Sequence, residues 1–125
     1  MASKKILLID DDKMFNDTVK EMMEVAGYEV VPAYDGLQGE KLFHQVKPDL
    51  VITDIFMPEE DGIGFLIGIG EDDLSFPCKV IAISGGGRDG VCDYLNMAKS
   101  MGVDDILEKP FTMNALLQKI EQQIP

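Results

Sequence analysis

The chain has 125 residues and a formal net charge of −12 at neutral pH. This length suits one domain with a hydrophobic core of its own, and we expect a single domain over residues 1–125. The negative charge opposes direct binding to nucleic acid or to an anionic membrane surface, because both would repel the chain. The two cysteines lack metal-binding spacing, and neither a leader pattern nor a long apolar span is found. These features predict a cytoplasmic protein without a membrane partner.

Five short runs have the length and composition of buried β-strands. Most of them are apolar throughout rather than alternating, which is typical of strands that are covered on both faces. The second run is the least apolar, so we expect it at an edge of the sheet. In chain order, the predicted strands cover residues 5–10, 28–33, 50–54, 79–84 and 104–107.

Stretches with apolar residues at three- and four-residue spacing separate these runs and predict helices. Asp12, Asp35 and Thr112 precede three of the helices and are suited to cap their first turns, and Gly27 suits the left-handed position after the first helix. Residues 62–70 contain several glycines and predict a short or frayed third helix. The other predicted helices cover residues 13–26, 37–46, 91–101 and 113–124.

The alternation of strands and helices predicts an open α/β layer built on one parallel sheet. In such sheets, ligands bind beyond the carboxyl ends of the strands. Reactive polar residues end or follow four of the predicted strands at this edge, namely Asp10 and Asp11, Asp54, Ser84, and Lys109. The sequence therefore predicts that three carboxylates, a hydroxyl and an ammonium group converge there.

The three carboxylates predict a site for a hard cation. Two carboxylates about 4 Å apart repel by roughly 4 kcal/mol at an effective dielectric constant near 20, so the group needs a neutralising charge. Carboxylate oxygens favour Mg²⁺, which commonly joins one or two carboxylates to a phosphoryl group. A carboxylate can also attack phosphorus and form an aspartyl phosphate. Lys109 and the metal would neutralise the transferring oxygens, and Ser84 could donate a hydrogen bond to them.

The ordered set of motifs resembles the receiver domains of two-component response regulators. The resemblance covers essentially the whole chain. The residues that carry it are the acidic pair Asp10-Asp11, the segment 54–62, Ser84, and Lys109 with the following Pro110 and Phe111. It implies a flavodoxin-like, doubly wound fold, in which a five-stranded parallel sheet has the strand order 2-1-3-4-5 and helices on both faces.

The resemblance also implies how the acidic residues act. Asp54 would accept a phosphoryl group from the phosphohistidine of a histidine kinase or of a histidine phosphotransfer protein. Asp11, Asp54 and the backbone carbonyl of Phe56 would bind Mg²⁺ directly, and Asp10 would act through a bound water. Such a domain carries out only its own phosphorylation and dephosphorylation, so we do not expect a conventional enzyme.

By the same resemblance, Ser84 and Lys109 would sense the phosphoryl group. The signal would leave through a face formed by the fourth predicted helix, the fifth strand and the last helix. Tyr94, Ile106 and Phe111 are close in the chain to the sensing residues and are the candidates for that face. The partner there would be a downstream target protein or a missing output domain. Receivers often have an aromatic residue at the position of Ile106, so the chain departs from the family pattern at this point.

Two other functions fit parts of the pattern. A haloacid-dehalogenase-like phosphatase also forms an aspartyl phosphate with Mg²⁺. Such an enzyme has a second aspartate two residues after the first, whereas in this chain the residue two positions after Asp54 is Phe56. A binding module could retain the acidic pocket without using it. Turnover of small phosphate esters would favour the phosphatase, and failure to label with acetyl phosphate would favour the binding module.

Overall fold

The computed structural model describes residues 4–54, 78–85, 103–109 and 111–125, with the backbone alone for residues 84 and 85. Five β-strands lie within these ranges: β1 (Lys5–Ile9), β2 (Glu29–Ala33), β3 (Leu50–Asp54), β4 (Lys79–Gly85) and β5 (Asp105–Lys109). The same ranges contain the α-helices α1 (Lys13–Val25), α2 (Gly36–Val46) and α3 (Met113–Gln123), and α3 is the last predicted helix. The third and fourth predicted helices lie outside the described residues.

The strands form one parallel sheet in the order β2-β1-β3-β4-β5. This confirms the predicted fold, including the strand order that the resemblance implied and the edge position of β2. The chain moves outward from β1 to β2 and then returns past β1 to form β3. The carboxyl ends of β1 and β3 are therefore neighbours at the point where the strand order reverses, which is where open α/β sheets bind ligands.

Helices cover both faces of the sheet, as predicted. On one face, Leu7 and Ile9 of β1 belong to a core cluster that includes Phe43 of α2. On the opposite face, Ile6 and Leu8 pack in a cluster with side chains of α1 and α3. All four of these β1 side chains are completely buried. Burial on both faces explains why the strand is apolar throughout rather than alternating.

The predicted helix caps are confirmed. The side chains of Asp12, Asp35 and Thr112 each accept a hydrogen bond from the backbone N–H three residues further on, at 3.1, 2.7 and 3.1 Å. Gly27 follows α1 with a φ of 102°, a left-handed conformation that favours glycine. Among the helices that the structure describes, none is long and apolar enough to cross a bilayer.

Candidate functional site at the carboxyl edge of the sheet

Three carboxylates and one ammonium group meet at the carboxyl edge of the sheet. Asp10 follows β1, Asp54 ends β3, and Lys109 ends β5. Nζ of Lys109 lies 2.8 Å from Oδ2 of Asp10 and 3.3 Å from Oδ2 of Asp54. Asp11 offers a carboxylate oxygen, and one oxygen from each of the three carboxylates lies within 4.8 Å of the others. The structure thus brings together four of the side chains that the sequence analysis placed at this edge.

The register of the sheet explains this convergence. Ile9 of β1 is paired with Thr53 of β3. The residues that follow them, Asp10 and Asp54, therefore lie at the same height along the sheet. The backbone of Ser84 is paired with Glu108 of β5, one residue before Lys109. The side chain of Ser84 and the whole of Phe56 lie outside the described residues.

Asp10 carries the most buried carboxylate of the cluster. Its side chain is 0% exposed, whereas that of Asp54 is 9% exposed and Asp11 lies at the surface. Oδ1 of Asp10 accepts a hydrogen bond from the backbone N–H of Asp12 at 2.9 Å, and Oδ2 accepts one from Lys109. Burial raises the pKa of the Asp10 carboxyl above its ordinary value, although the hydrogen bonds from Lys109 and Asp12 act in the opposite direction.

The Lys109 side chain is held between two carboxylates in a partly buried position. Burial alone would lower the pKa of its ammonium group, because an apolar environment disfavours a charge. The hydrogen bonds and negative charges of Asp10 and Asp54 outweigh burial, and the pKa of Lys109 is raised above its ordinary value of 10.5. The amine therefore stays protonated at neutral pH and supplies a fixed positive charge beside Asp54.

Asn16 of α1 is a functional candidate that the sequence analysis did not identify. This completely buried residue donates through Nδ2 to the backbone carbonyl oxygens of Ala33, Leu8 and Asp10, at 3.0, 3.3 and 3.3 Å. The amide therefore ties α1 to the ends of β1 and β2, next to the buried carboxylate. Helical spacing in the sequence indicates that Asn16 is buried, since it lies three residues before buried Val19 on the core-facing side of α1.

We expect Asp10→Asn to raise the free energy of unfolding of the metal-free protein at neutral pH. The raised folded-state pKa of Asp10 means that the folded protein favours the protonated carboxyl. The stability gained from that preference is fully present below the ordinary pKa of 3.8 and is lost as the pH rises through the folded-state pKa. Ionised Asp10 therefore opposes folding at neutral pH, and the neutral amide removes that cost. The advantage of the variant should shrink as the pH is lowered.

Urea unfolding in chelator, repeated from neutral to mildly acidic pH, measures this effect. Asp12→Asn is the control, because Asp12 is exposed and asparagine caps a helix about as well as aspartate. A lower stability of Asp10→Asn than of the wild type at neutral pH would contradict the prediction.

Comparison with known proteins agrees with the fold and shows the family. Residues 6–121 match the family model described as the response regulator receiver domain. With the parallel sheet in the expected order and an acidic cluster beside a lysine at its carboxyl edge, the chain belongs to the receiver domains of two-component response regulators. These are signalling domains, and domains of this family bind Mg²⁺ at an acidic cluster.

Two curated relatives illustrate the range of proteins to which the chain is similar. The chemotaxis protein CheY of Listeria monocytogenes is 37% identical over 120 residues, which cover 94% of this chain and 96% of that protein. The DNA-binding dual master transcriptional regulator RpaA of Synechocystis is 34% identical over 116 residues, which cover 93% of this chain and 47% of RpaA. The chain thus spans nearly all of one relative and about half of the other.

Solved structures show the same fold. A response regulator receiver domain protein from Clostridium thermocellum has a TM-score of 0.86 and 31% identity, with 97% of this chain and 94% of that chain covered. The chemotaxis protein CheY4 of Vibrio cholerae has a TM-score of 0.87 over 98% of this chain and 100% of that chain, and its 24% identity supports the fold alone.

Proposed function

We propose that the chain is a phosphoacceptor domain that takes a phosphoryl group onto Asp54 with Mg²⁺. The donor would be the phosphohistidine of a histidine kinase or of a histidine phosphotransfer protein. The observation that carries the proposal is the position of Lys109, whose Nζ lies 3.3 Å from Asp54 and 2.8 Å from Asp10, with Asp11 in the same acidic cluster. A fixed cation and a group of oxygen ligands thus flank one carboxylate, as phosphoryl transfer to that carboxylate requires.

In this proposal, Asp11, Asp54 and the backbone carbonyl of Phe56 would hold Mg²⁺ directly, and Asp10 would act through a bound water. The hydrogen bonds support different roles for the two neighbouring aspartates, Asp10 and Asp11. Both oxygens of Asp10 already accept bonds within the protein, whereas Asp11 lies at the surface. One oxygen from each of the three carboxylates lies within 4.8 Å of the others, and carboxylate oxygens are the ligand type that Mg²⁺ prefers. Bound Mg²⁺ would supply positive charge to the oxygens of the transferring group.

The protein residues then have separate tasks. A carboxylate oxygen of Asp54 forms a bond to phosphorus while the bond between phosphorus and the histidine nitrogen of the donor breaks. Lys109 neutralises charge on the phosphoryl oxygens, and the hydroxyl of Ser84 donates a hydrogen bond to them. Because Lys109 is anchored at the end of β5, a change in its contacts acts directly on that edge strand.

We further propose that the output surface lies at the β5 edge, formed by the fourth predicted helix, β5 and α3. Ile106 packs against the core cluster on the α2 side of the sheet, whereas Phe111 packs against the cluster on the α1 side. These two candidates therefore lie on either side of β5, and Tyr94 is outside the described residues. The partner would be a target protein or an output domain in the cytoplasm. The charge of −12 disfavours a direct nucleic-acid or membrane partner.

Intact-mass measurement tests the proposal. Incubation with acetyl phosphate and Mg²⁺ should add one phosphoryl unit to the chain, and replacing Mg²⁺ with chelator should prevent the addition. Absence of a gain with Mg²⁺ and either acetyl phosphate or phosphoramidate would contradict the proposal. Steady turnover of small phosphate esters would instead favour the phosphatase alternative.

A further inference from the structure

We propose that Phe15 of α1 is a positioning residue that holds the Lys109 ammonium in place during phosphoryl transfer, a role that rests on the proposed function. Nζ of Lys109 lies 4.0 Å from the centre of the Phe15 ring. A cation within about 6 Å of a ring centre is attracted by the negative potential of the ring face. The ring therefore provides a third interaction for the ammonium, in addition to those with Asp10 and Asp54.

The Phe15 ring is itself held by neighbouring groups. The backbone N–H of Phe15 donates to the capping carboxylate of Asp12 at 3.1 Å, which fixes the first turn of α1. The ring meets the ring of Phe111 in an edge-to-face arrangement, with the centres 5.8 Å apart and the planes at 81°. Both rings also pack against the core cluster beneath α1 and α3. Phe15 is thus a fixed surface against which the flexible lysine side chain rests.

The chemistry explains why such a surface would matter. In the structure, the ammonium is closer to Asp10 than to Asp54, at 2.8 and 3.3 Å. When a phosphoryl group is transferred to Asp54, Lys109 must donate to the new phosphoryl oxygens. The aromatic face attracts the cation without accepting a directed hydrogen bond, so it can stabilise the ammonium while its hydrogen-bond partners change. The side chain of Lys109 is only 23% exposed, and exclusion of water strengthens this attraction.

Stepwise fluorination of the Phe15 ring tests the electrostatic role, because it weakens the negative face with little change in shape. We expect mono-, di- and trifluorinated phenylalanine at position 15 to slow phosphorylation by acetyl phosphate progressively. At saturating Mg²⁺, the rate constant should fall about threefold to tenfold for the trifluorinated ring, and the affinity for Mg²⁺ should stay within about twofold of the wild type. The matched control is the same series at Phe43, a buried ring in the core cluster on the opposite face of the sheet.

The contact itself can be measured without any reaction. Ring current from Phe15 should shift the ε-methylene protons of Lys109 upfield in NMR spectra, with the signal assigned by its loss in Lys109→Arg. The shift should disappear in Phe15→Leu and persist in the fluorinated proteins. An absent shift, an unchanged rate across the Phe15 series, or equal slowing in the Phe43 series would overturn the proposal. If the shift is present but neither the wild type nor any variant accepts phosphate, the proposed function fails and this role fails with it. If the wild type is labelled normally and the rate does not change across the Phe15 series, the role of Phe15 alone is refuted.

Discussion

Asp54→Asn should reduce the incorporation of a phosphoryl group to below detection. Asparagine retains the size of the side chain but replaces the nucleophilic carboxylate oxygen with a neutral amide, which does not form the aspartyl phosphate. The neighbouring Lys109 and the two other aspartates remain, so the site keeps most of its shape. Intact mass after incubation with acetyl phosphate and Mg²⁺ measures the effect, and peptide mapping of the wild-type protein locates the modified residue.

Asp12→Asn is the matched control for this prediction. Asp12 lies close to the cluster in the chain, but it is exposed and caps α1 through a hydrogen bond from Phe15 at 3.1 Å. Asparagine is an equally good capping residue, so we expect labelling to stay within about twofold of the wild type. Phosphorylation of Asp54→Asn would place the phosphoacceptor elsewhere. Loss of labelling in Asp12→Asn would show that Asp12 has a role in the acidic site beyond capping.

Lys109→Met should lower the free energy of unfolding more than any of the other substitutions does. The side chain keeps a similar length, but Asp10 and Asp54 lose the cation that lies 2.8 and 3.3 Å from them. Removal of one partner from a fully buried ion pair typically costs about 3–5 kcal/mol. Because Lys109 remains 23% exposed, we expect a smaller decrease of about 2 kcal/mol in the free energy of unfolding. Urea unfolding at neutral pH in chelator measures it.

Two further measurements assign this loss to the acidic cluster. Mg²⁺ should stabilise Lys109→Met more than the wild type, since a bound cation replaces the missing charge. The penalty should also be smaller when Asp10→Asn is present in the same chain. Lys119→Met is the control, because Lys119 forms an ion pair of comparable length with Asp105, at 3.0 Å, but the Asp105 carboxylate is partly exposed whereas that of Asp10 is completely buried. We expect a loss of about 1 kcal/mol or less. An equal loss in the control, or no coupling with Asp10→Asn, would contradict the explanation.

The sequence by itself determined most of the fold that positions the site. Continuous apolar runs correspond to strands buried on both faces, and capping by residues such as Asp12 and Thr112 depends only on the next few residues. The strand order followed from the resemblance rather than from periodicity. The end of β5 was predicted two residues too early, because Glu108 and Lys109 are polar. At the edge of a sheet, a polar strand can continue to pair while its side chains point to solvent or to the site.

Only the tertiary structure decided which of the polar residues are buried and which of them contact Lys109. Asp10 and Asp11 are adjacent and chemically identical, so the sequence alone could not show which carboxylate is buried against Lys109. The packing of α1 over β1 buries Asp10 and leaves Asp11 exposed. The same packing brings Phe15 over the Lys109 ammonium. Such contacts join residues that are far apart in the chain, and they exist only once the parallel register has aligned the strand ends and the helices have excluded water around them.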